Sequence, residues 1–453
     1  MSGLSRRGAA PTVRHVHLGL GNFFRAHQAW YTSRAPDATQ WGIAAFTGRT
    51  PGLVDALTAQ DGLYTLVTRS GDGDGFEVVD SIARVFPASD HAAWLGYLKD
   101  PRVRVVTMTV TEAGYLRGAD GGLDVDRPEV RADVDALRTA PSSPVRTAPA
   151  KLVAGLAARC RADAGPLTLV PCDNLPGNGA VTARIVREFA QFVDPGLPGR
   201  LEESVSYVTT VVDRITPRPI AADVAAVGAA TGADDHAPVV TEPFTEWVLS
   251  GDFAAGRPQW EDAGAAFVHD IGPFEERKLW LLNGAHSLLA YTASLRGHVT
   301  VSDAMTDETC RAWLEQWWNE ASRHLNLPDT DIAAYRAALI DRFANPRMRH
   351  RLDQIATDGS QKLPVRLLPV LRLERAAGRV PLGTTRALAA WVCHLRGSGG
   401  SVNDVRSADI GPLTAGPLTD AVRTVLGALD PALAADSAVV NAVTVQACEI
   451  APR

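Results

Sequence analysis

VRHVHLGLGNFFRAH, residues 13–27, is the stretch that decides the fold. Its first part, Val13–Leu20, is predicted to be the first strand. Gly19 and Gly21 then mark a tight turn that leads into a helical pattern. A strand, a glycine turn and a helix in this order are typical of the opening unit of an α/β domain with a largely parallel sheet.

The glycine turn also suggests a ligand. Glycines at this place let the backbone approach a pyrophosphate, and the amides at the start of the helix supply donors. Phe24 occupies the third glycine position of the usual G-x-G-x-x-G, so the motif alone is weak, and a plain β–α turn is the alternative. Its position at the first β–α junction favours a dinucleotide. The candidate cofactor-binding residues are Gly19, Gly21, Asn22 and Phe23.

The end of the second predicted strand bears on which dinucleotide would bind. It reads Thr47-Gly48-Arg49-Thr50, without the carboxylate that would accept the ribose 2′-hydroxyl of NAD. Arg49 could instead accommodate a 2′-phosphate, although it could equally be a solvated surface residue. NAD is the expected cofactor, with NADP as the alternative and Arg49 as a further candidate ligand.

The chain up to about residue 270 alternates strand and helix patterns. The predicted strands are Val13–Leu20, Gly42–Thr47, Val103–Thr109 and Leu167–Pro171, with two further strand-like runs, Tyr64–Arg69 and Phe76–Val85, around a hairpin loop at Gly71–Gly75. The predicted helices are Pro51–Gln60, Ala92–Leu98, Leu152–Ala162 and Ala180–Val193.

After Pro273 the pattern changes to long helices. They are predicted at Phe274–Leu295, Asp307–Leu325, Ile332–Phe343 and Thr384–Leu395, with a loop at Gly397–Ser401. The sequence therefore predicts an α/β dinucleotide-binding domain over residues 1–272 and a helical substrate and catalytic domain over residues 273–453.

Composition limits the class of protein. Of 453 residues, 46% are hydrophobic and 21% charged, which is ordinary for a globular protein, and the net charge of −6 gives no reason to expect nucleic acid or an anionic membrane as a partner. The five cysteines are scattered, without a C-x-x-C pair, and neither a secretory signal nor an apolar run long enough to span a bilayer is present. We expect a cytoplasmic protein whose oligomeric state the sequence does not indicate.

Polar residues gather where the helical domain opens. On an α-helix of about 100° per residue, with Lys278 at zero, Glu275 falls near ~60°, His286 near ~80° and Asn283 near ~140°. Such a stripe is usually a solvent-exposed face. Leucines and Trp280 spread around the rest of the helix, however, which predicts that it is largely buried and that its polar groups serve one another or a ligand.

These residue types suit hydride transfer. Oxidation of a secondary alcohol needs a base for the hydroxyl proton and donors for the developing alkoxide. Lys278 can be that base if burial or a neighbouring cation lowers its pKa. Asn283 can donate to the oxygen, His286 can position a hydroxyl and Glu275 can carry a proton to solvent.

Several ordered motifs give the chain a resemblance to a known family. They are His17–Gln28, Thr109–Tyr115, Cys172–Gly179, Val212–Pro217, Glu242–Phe244 and Lys278–His286. With these, the chain resembles the long-chain polyol-specific dehydrogenases, the family of mannitol 2-dehydrogenase and fructuronate reductase (mannonate oxidoreductase), over nearly its whole length. The resemblance implies a Rossmann-type N-terminal domain, a mostly α-helical C-terminal domain and metal-independent chemistry.

The resemblance also implies roles for residues of this chain. Lys278 would be the general base, Asn174 and Asn283 the pair that stabilises the oxyanion, and Glu275 part of a proton path. His286 and Asp213 would contact the substrate. Without the resemblance, Asn174 would look like a loop asparagine and Asp213 like a turn or capping residue.

The stretch Gln354–Pro364 departs from the mannitol enzymes, which tend to have an arginine at the position of Gln354. Lys362 is retained and could bind substrate hydroxyls, or a carboxylate together with Arg366, which could also be a plain surface charge. The expected partner is a polyol or sugar acid, such as D-mannitol or D-mannonate, in carbohydrate metabolism.

Three other interpretations stay open at this point. His15 and His17 share a strand face and could bind metal, but no third ligand has suitable spacing, and a structural role is favoured. A dinucleotide-binding sensor without turnover is a second possibility, although the catalytic residues remain together. A polyol-phosphate dehydrogenase is the third.

Overall fold

The computed structural model describes residues 2–48 and 52–450. The chain divides into two compact units, with the boundary in the sequence between Ile271 and Gly272. The first is an α/β unit and the second is helical, so the predicted fold class is confirmed. All five cysteines are free. Within the described ranges, no helix combines the length and apolar character needed to cross a bilayer.

The first unit is built on a six-stranded parallel sheet. In chain order its strands are β1 (Val13–Leu20), β2 (Gly42–Thr47), β3 (Ile82–Phe86), β4 (Val105–Met108), β5 (Leu167–Pro171) and β6 (Val205–Tyr207). Across the sheet the order is β3-β2-β1-β4-β5-β6, the doubly wound arrangement of Rossmann-type domains. The order reverses next to β1, so the turn after β1 lies at the switch point where such sheets bind ligands.

Helices accompany the sheets of the first unit, and the starts of two of them show why they form where they do. The principal ones are Asn22–Ala26, Gln28–Arg34, Gly52–Ala59, His91–Leu98, Pro128–Thr139, Ala148–Arg161, Asn178–Val193, Leu197–Ser204 and Ala221–Thr231. Asp90 accepts a hydrogen bond from the Ala93 amide, and Thr147 caps Ala148–Arg161 in the same way.

Smaller sheets complete the first unit. Tyr64–Arg69 pairs antiparallel with Asp74–Val79 and parallel with Val239–Thr241. Thr209–Asp213 pairs antiparallel with Glu246–Ser250, which also pairs with Ala266–Phe267. The expected single strand Phe76–Val85 is therefore wrong, because Val79 ends the hairpin and Ile82 begins β3. The hairpin is found where it was predicted, but its loop is shorter than Gly71–Gly75, because Asp74 and Gly75 already belong to the second strand. The Ser70 amide donates to the Gly73 carbonyl across the loop.

In its described residues, the second unit is mostly helical. Its helices are Gly272–Leu295, Val301–Thr306, Glu308–Ser322, Asp329–Ala344, Leu352–Ile355, Gly359–Arg366, Leu368–Ala376, Leu382–Leu395, Ser407–Ile410, Leu418–Leu429, Pro431–Ala435 and Ser437–Ile450. Leu382–Leu395 is buried along most of its length and packs on Ala285–Leu295, Glu308–Ser322 and Ser437–Ile450. The buried Glu320 carboxylate accepts from the Gly383 and Thr384 amides and so caps this central helix.

Candidate active site

The two glycines of the turn after β1 do different things. Gly19 has φ +112°, and a Cβ there would lie 2.5 Å from the Thr109 carbonyl oxygen, so only glycine fits. Gly21 has φ −146°, and a Cβ on it would meet only the Gly19 carbonyl oxygen, at 3.6 Å. Gly19 thus holds β1 against the segment after β4, whereas Gly21 keeps open space beside the backbone. That open backbone at the switch point fits a pyrophosphate.

The residues after the turn pack against neighbouring side chains, and they do not form one long helix. Phe24 is fully buried and stacks on His17, with ring centroids 3.5 Å apart. The helix Asn22–Ala26 ends at His27, whose φ of −124° and ψ of −92° break it from Gln28–Arg34. Asn22 accepts a 2.8 Å hydrogen bond from Arg25, and Phe23 stacks on His27 at 5.0 Å. Phe24 therefore replaces the third glycine with a core contact.

The end of β2 is partly described. Thr47 is buried and its hydroxyl accepts from the Ala88 amide at 3.1 Å, while Gly48 is exposed. Arg49 lies outside the described residues, so its predicted contact with a 2′-phosphate stays a prediction.

His15 and His17 are fully buried on β1 and bonded to β4. The Thr107 hydroxyl lies 2.6 Å from His15 Nε2 and 2.8 Å from His17 Nδ1. Burial lowers the pKa of His15 to about 3, and burial followed by the nearby His15 lowers the pKa of His17 well below its usual range. Both are neutral at pH 7 and join two strands, which supports the structural role that the sequence favoured.

The loop after β5 is fixed by the residues on either side of Asn174. The Asp173 carboxylate accepts from the Tyr115 hydroxyl and, at 2.9 Å, from the Leu175 amide. Burial raises the pKa of Asp173, while these hydrogen bonds oppose the rise. The buried Asn178 accepts from the Thr210 amide at 2.9 Å and donates to the Thr210 carbonyl at 3.1 Å. Asn174 itself is exposed between these two anchors.

Asp213 is buried at the end of its strand, opposite Glu246. The following residues tie it to a second motif, since the Glu242 carboxylate accepts from the Ile215 amide at 2.7 Å. Arg214 lies over the ring of Trp30, 4.7 Å from its centroid. The motifs Val212–Pro217 and Glu242–Phe244 therefore support each other.

The helix Gly272–Leu295 of the second unit is interrupted by a π-helical segment at Lys278–Gly284. The α-helical spacing expected from the sequence is therefore wrong over these seven residues. A π-helix links residues five apart by backbone hydrogen bonds, so Asn283 lies one wide turn after Lys278 and nearer to its face than ~140°. Such segments are frequent at functional sites.

Two tryptophans of Glu308–Ser322 stabilise the π segment. Trp317 Nε1 donates to the Trp280 carbonyl at 3.0 Å, and Trp318 Nε1 donates to the Leu281 carbonyl at 2.8 Å. Gly284 permits this approach, because a Cβ on it would lie 2.5 Å from Trp317 Cζ2. The segment is thus held by residues distant in the sequence, which no helical pattern revealed.

The polar residues of this helix differ in exposure. Glu275, Lys278 and Asn283 are half-buried, as is Leu279, whereas every residue from Gly284 to Ala293 is buried. The expectation of a largely buried helix therefore holds for its second half. Lys278 and Asn283 lie at the margin of that buried region.

His286 is 8% exposed and is surrounded by aromatic and basic groups. The rings of Phe343 and His350 each lie 4.8 Å from its ring. Burial, then His350, Arg342 and Arg366, lower the pKa of His286 well below its usual range, so it is neutral at pH 7. Its Nε2 has no hydrogen-bond partner in the described chain and could bind a hydroxyl. No sequence pattern indicated His350, which lies after the helix Asp329–Ala344.

Lys362 and Arg366 lie one turn apart on Gly359–Arg366. Lys362 Nζ donates to the Ile355 carbonyl at 3.2 Å and to the Thr357 hydroxyl at 3.1 Å, and burial followed by Arg366 lowers its pKa. Arg366 is half-buried and donates to Ser287 Oγ at 3.2 Å, so it is more than a plain surface charge. Gln354 is exposed.

One group in the described chain has the side chains of a metal site, namely His298, Asp307 and Cys310. Asp307 already accepts from Arg296 at 2.6 Å and caps Glu308–Ser322 through the Thr309 amide at 2.8 Å. An arginine on the same carboxylate opposes a cation, so this group is better explained as a helix cap.

Comparisons with known proteins agree with this architecture. The family model for the mannitol dehydrogenase Rossmann domain matches residues 13–262, and that for the mannitol dehydrogenase C-terminal domain matches residues 270–444. An uncharacterized oxidoreductase of Escherichia coli, YeiQ, is 38% identical over 90% of this chain and 83% of its own. The D-mannonate oxidoreductase of Escherichia coli is 36% identical over 85% of this chain and 80% of its own.

A solved structure is also similar over nearly the full length. The Pseudomonas fluorescens mannitol 2-dehydrogenase, in a ternary complex with NAD and D-mannitol, has a TM-score of 0.80 and 31% identity, and the match covers 97% of this chain and 92% of the other. Family models, sequence relatives and structure thus agree. The chain belongs to the mannitol dehydrogenase family of polyol dehydrogenases.

Proposed function

We propose that the protein is an NAD(P)-dependent, metal-independent dehydrogenase that interconverts a secondary alcohol of a sugar alcohol or sugar acid with the ketone. The observation that carries this proposal is the π segment, which places Asn283 one turn after Lys278. In this proposal Lys278 is the proton acceptor and Asn283 the amide donor that oxidation of an alcohol requires. D-mannitol and D-mannonate are the substrates to which the relatives point.

The residues up to 272 would bind the dinucleotide, and residues 273–453 would supply the base. When bound, the nicotinamide takes up the hydride. Gly19, Gly21, Asn22 and Phe23 would hold the dinucleotide at the switch point. NAD is the preferred candidate because the related mannitol 2-dehydrogenase binds it. Arg49 keeps NADP as the alternative.

Lys278 accepts the hydroxyl proton. The amides of Asn174 and Asn283 donate to the developing alkoxide, and Glu275, three residues before Lys278, passes the proton toward solvent. His286, Asp213 and Lys362 hold substrate hydroxyls. The lysine and the two amides together do what a metal would do at such a carbon, so dialysis against a chelator should leave kcat unchanged.

The test is reduced-nicotinamide absorbance with D-mannitol, D-mannonate and phosphorylated polyols, using NAD and NADP separately. Lys278→Ala should lose turnover by about 100-fold or more and keep dinucleotide binding. Lys99→Ala, at an exposed lysine of the first unit, is the matched control. Dinucleotide binding without turnover of any compound would favour a sensor, and turnover of phosphorylated polyols alone would favour a polyol-phosphate dehydrogenase.

Gly21 gives a separate test of the dinucleotide site. Gly21→Ala has a compatible φ and room for its Cβ, so the fold should persist while the methyl group blocks the pyrophosphate. Fluorescence titration with NADH should show weaker binding by about tenfold or more. Unchanged affinity in a folded variant would place the dinucleotide elsewhere.

A further inference from the structure

Arg366 lies against the π segment, and only one nitrogen of its guanidinium donates a hydrogen bond to it. It is the last residue of Gly359–Arg366, and its Nη1 donates to Ser287 Oγ at 3.2 Å and to the Asn283 carbonyl at 3.4 Å. Its Nε and Nη2 make no hydrogen bond to any described residue. These two nitrogens form the side edge of the guanidinium, which suits bidentate binding of a carboxylate.

Arg366 also lacks a counter-charge among residues 2–48 and 52–450, where no carboxylate forms an ion pair with it. Burial lowers its pKa to about 10, so it remains charged at neutral pH. A cation that is mostly removed from water and left without a partner is costly. An anionic ligand would supply the counter-charge that the described residues do not.

Arg366 has other basic side chains nearby. Arg342 and Arg366 both lower the pKa of His286, and Arg366 also lowers the pKa of Lys362. The two carboxylates near Lys362 raise its pKa, and each also accepts a hydrogen bond from a backbone amide. Asp404 accepts from the Ser360 amide at 2.8 Å, and Asp358 accepts from the Val405 amide at 3.1 Å. These carboxylates act on Lys362, whereas none in the described chain pairs with Arg366 beside Asn283.

We propose, building on the function proposed above, that the side edge of Arg366 binds the carboxylate of the substrate, so that the preferred substrate is a sugar acid rather than a neutral polyol. Lys362 and the unpartnered His286 Nε2 then contact hydroxyls of the same molecule. A purely structural role, in which Arg366 only satisfies the Asn283 carbonyl, is the competing explanation.

The matched substrates are D-mannonate and D-mannitol, which differ only in a carboxylate or a hydroxymethyl group at C1. We expect the wild-type enzyme to favour D-mannonate in kcat/KM by about 100-fold or more, since a charge-assisted bidentate pair is strong. Arg366→Gln should lower the ratio of the two kcat/KM values by about 100-fold. Arg366→Lys keeps the charge but lacks the paired N–H donors of the guanidinium, so it should lower this ratio by less. Arg372→Gln is the control, because Arg372 is exposed and pairs with Asp430.

The outcomes separate the explanations. A wild-type preference for D-mannitol would overturn the proposal. An unchanged ratio of the two kcat/KM values in both Arg366 variants would also overturn it. A structural role predicts this result through equal losses on the two substrates, and an absence of any loss would give it as well. If Arg366→Gln does not fold, Arg366→Lys decides in the same way.

A binding measurement keeps this proposal distinct from the proposed function. Calorimetric titration of the Lys278→Ala variant with D-mannonate, in the presence of NADH, does not need turnover. Binding that weakens about 100-fold when Arg366→Gln is added supports the carboxylate site, even if wild-type enzyme oxidises neither compound. Equal binding with and without Arg366 overturns it.

Discussion

Replacement of Gly284 by alanine tests whether close packing of Trp317 sets the geometry of the π segment. The added Cβ would lie 2.5 Å from Cζ2 and 3.0 Å from Cε2 of Trp317, against about 3.5 Å or more for ordinary carbon contacts. Trp317 is fully buried, and its Nε1 is held on the Trp280 carbonyl at 3.0 Å, so it has little room to move. One of the two elements must therefore shift by about 1 Å.

The magnitude follows from two opposing effects. Overpacking of this kind costs about 1–3 kcal/mol, and the better helix propensity of alanine returns up to about 1 kcal/mol. We expect a net loss of about 1–2 kcal/mol in the free energy of unfolding. Because Asn283 precedes Gly284, a shift of about 1 Å should also lower kcat/KM by about 100-fold.

Thermal unfolding and steady-state kinetics on the same preparations measure both effects. Gly411→Ala is the control in the same unit, since Gly411 has φ −50° and nothing within 4 Å of a Cβ. Trp317→Phe removes the atoms that Gly284→Ala would overlap, so the double variant should be more stable than additivity predicts. A Gly284→Ala protein with the melting temperature and activity of Gly411→Ala would refute the reasoning.

Three further predictions concern the first unit. Tyr115→Phe removes the hydroxyl that donates to Asp173 and should loosen the loop that contains Asn174. We expect kcat to fall about tenfold while the affinity for NADH stays unchanged. An equal loss of NADH binding would contradict this prediction. The pKa of His15 is lowered to about 3 in the folded protein. Below pH 6.5 the unfolded chain therefore binds a proton at this residue that the folded chain does not. The free energy of unfolding should fall by about 1.4 kcal/mol per pH unit towards pH 3. Urea unfolding between pH 7 and 4 should show a shallower fall for His15→Gln, and an identical slope would refute the assignment. Arg159 donates to six backbone carbonyls, so Arg159→Met should cost about 3 kcal/mol or more in the same assay, and a loss below about 1 kcal/mol would contradict its role.

Strand boundaries were predictable where burial continues along the whole strand. Val13–Leu20, Gly42–Thr47 and Leu167–Pro171 have the predicted limits because each is a buried apolar run. Val103–Thr109 shortens to Val105–Met108, and Phe76–Val85 divides because the hairpin ends before β3 begins. The hydrophobic pattern shows that a run of residues favours a strand, whereas the neighbouring strand decides where the pairing ends.

The site was predictable to a smaller extent. Lys278 and Asn283 stood out because they are polar residues in an apolar helix, but Asn174 and Asp213 entered only through the resemblance. The π segment had no local signal, since the two tryptophans that donate to its Trp280 and Leu281 carbonyls lie 37 residues away in the sequence. Arg366 could not be told from a surface charge because its burial depends on how Gly359–Arg366 packs on the π segment.

The π segment and the proposed carboxylate site share one physical cause. A π turn changes the α-helical hydrogen-bonding pattern, and side chains here donate to the carbonyls of Trp280, Leu281 and Asn283. The donors to the first two are tryptophans, which carry no charge, whereas Arg366 adds a cation at Asn283. A neutral donor would satisfy that carbonyl equally well, and Ser287 already provides one at 3.2 Å. The positive charge is therefore unexplained by the backbone alone, and an anionic substrate accounts for it.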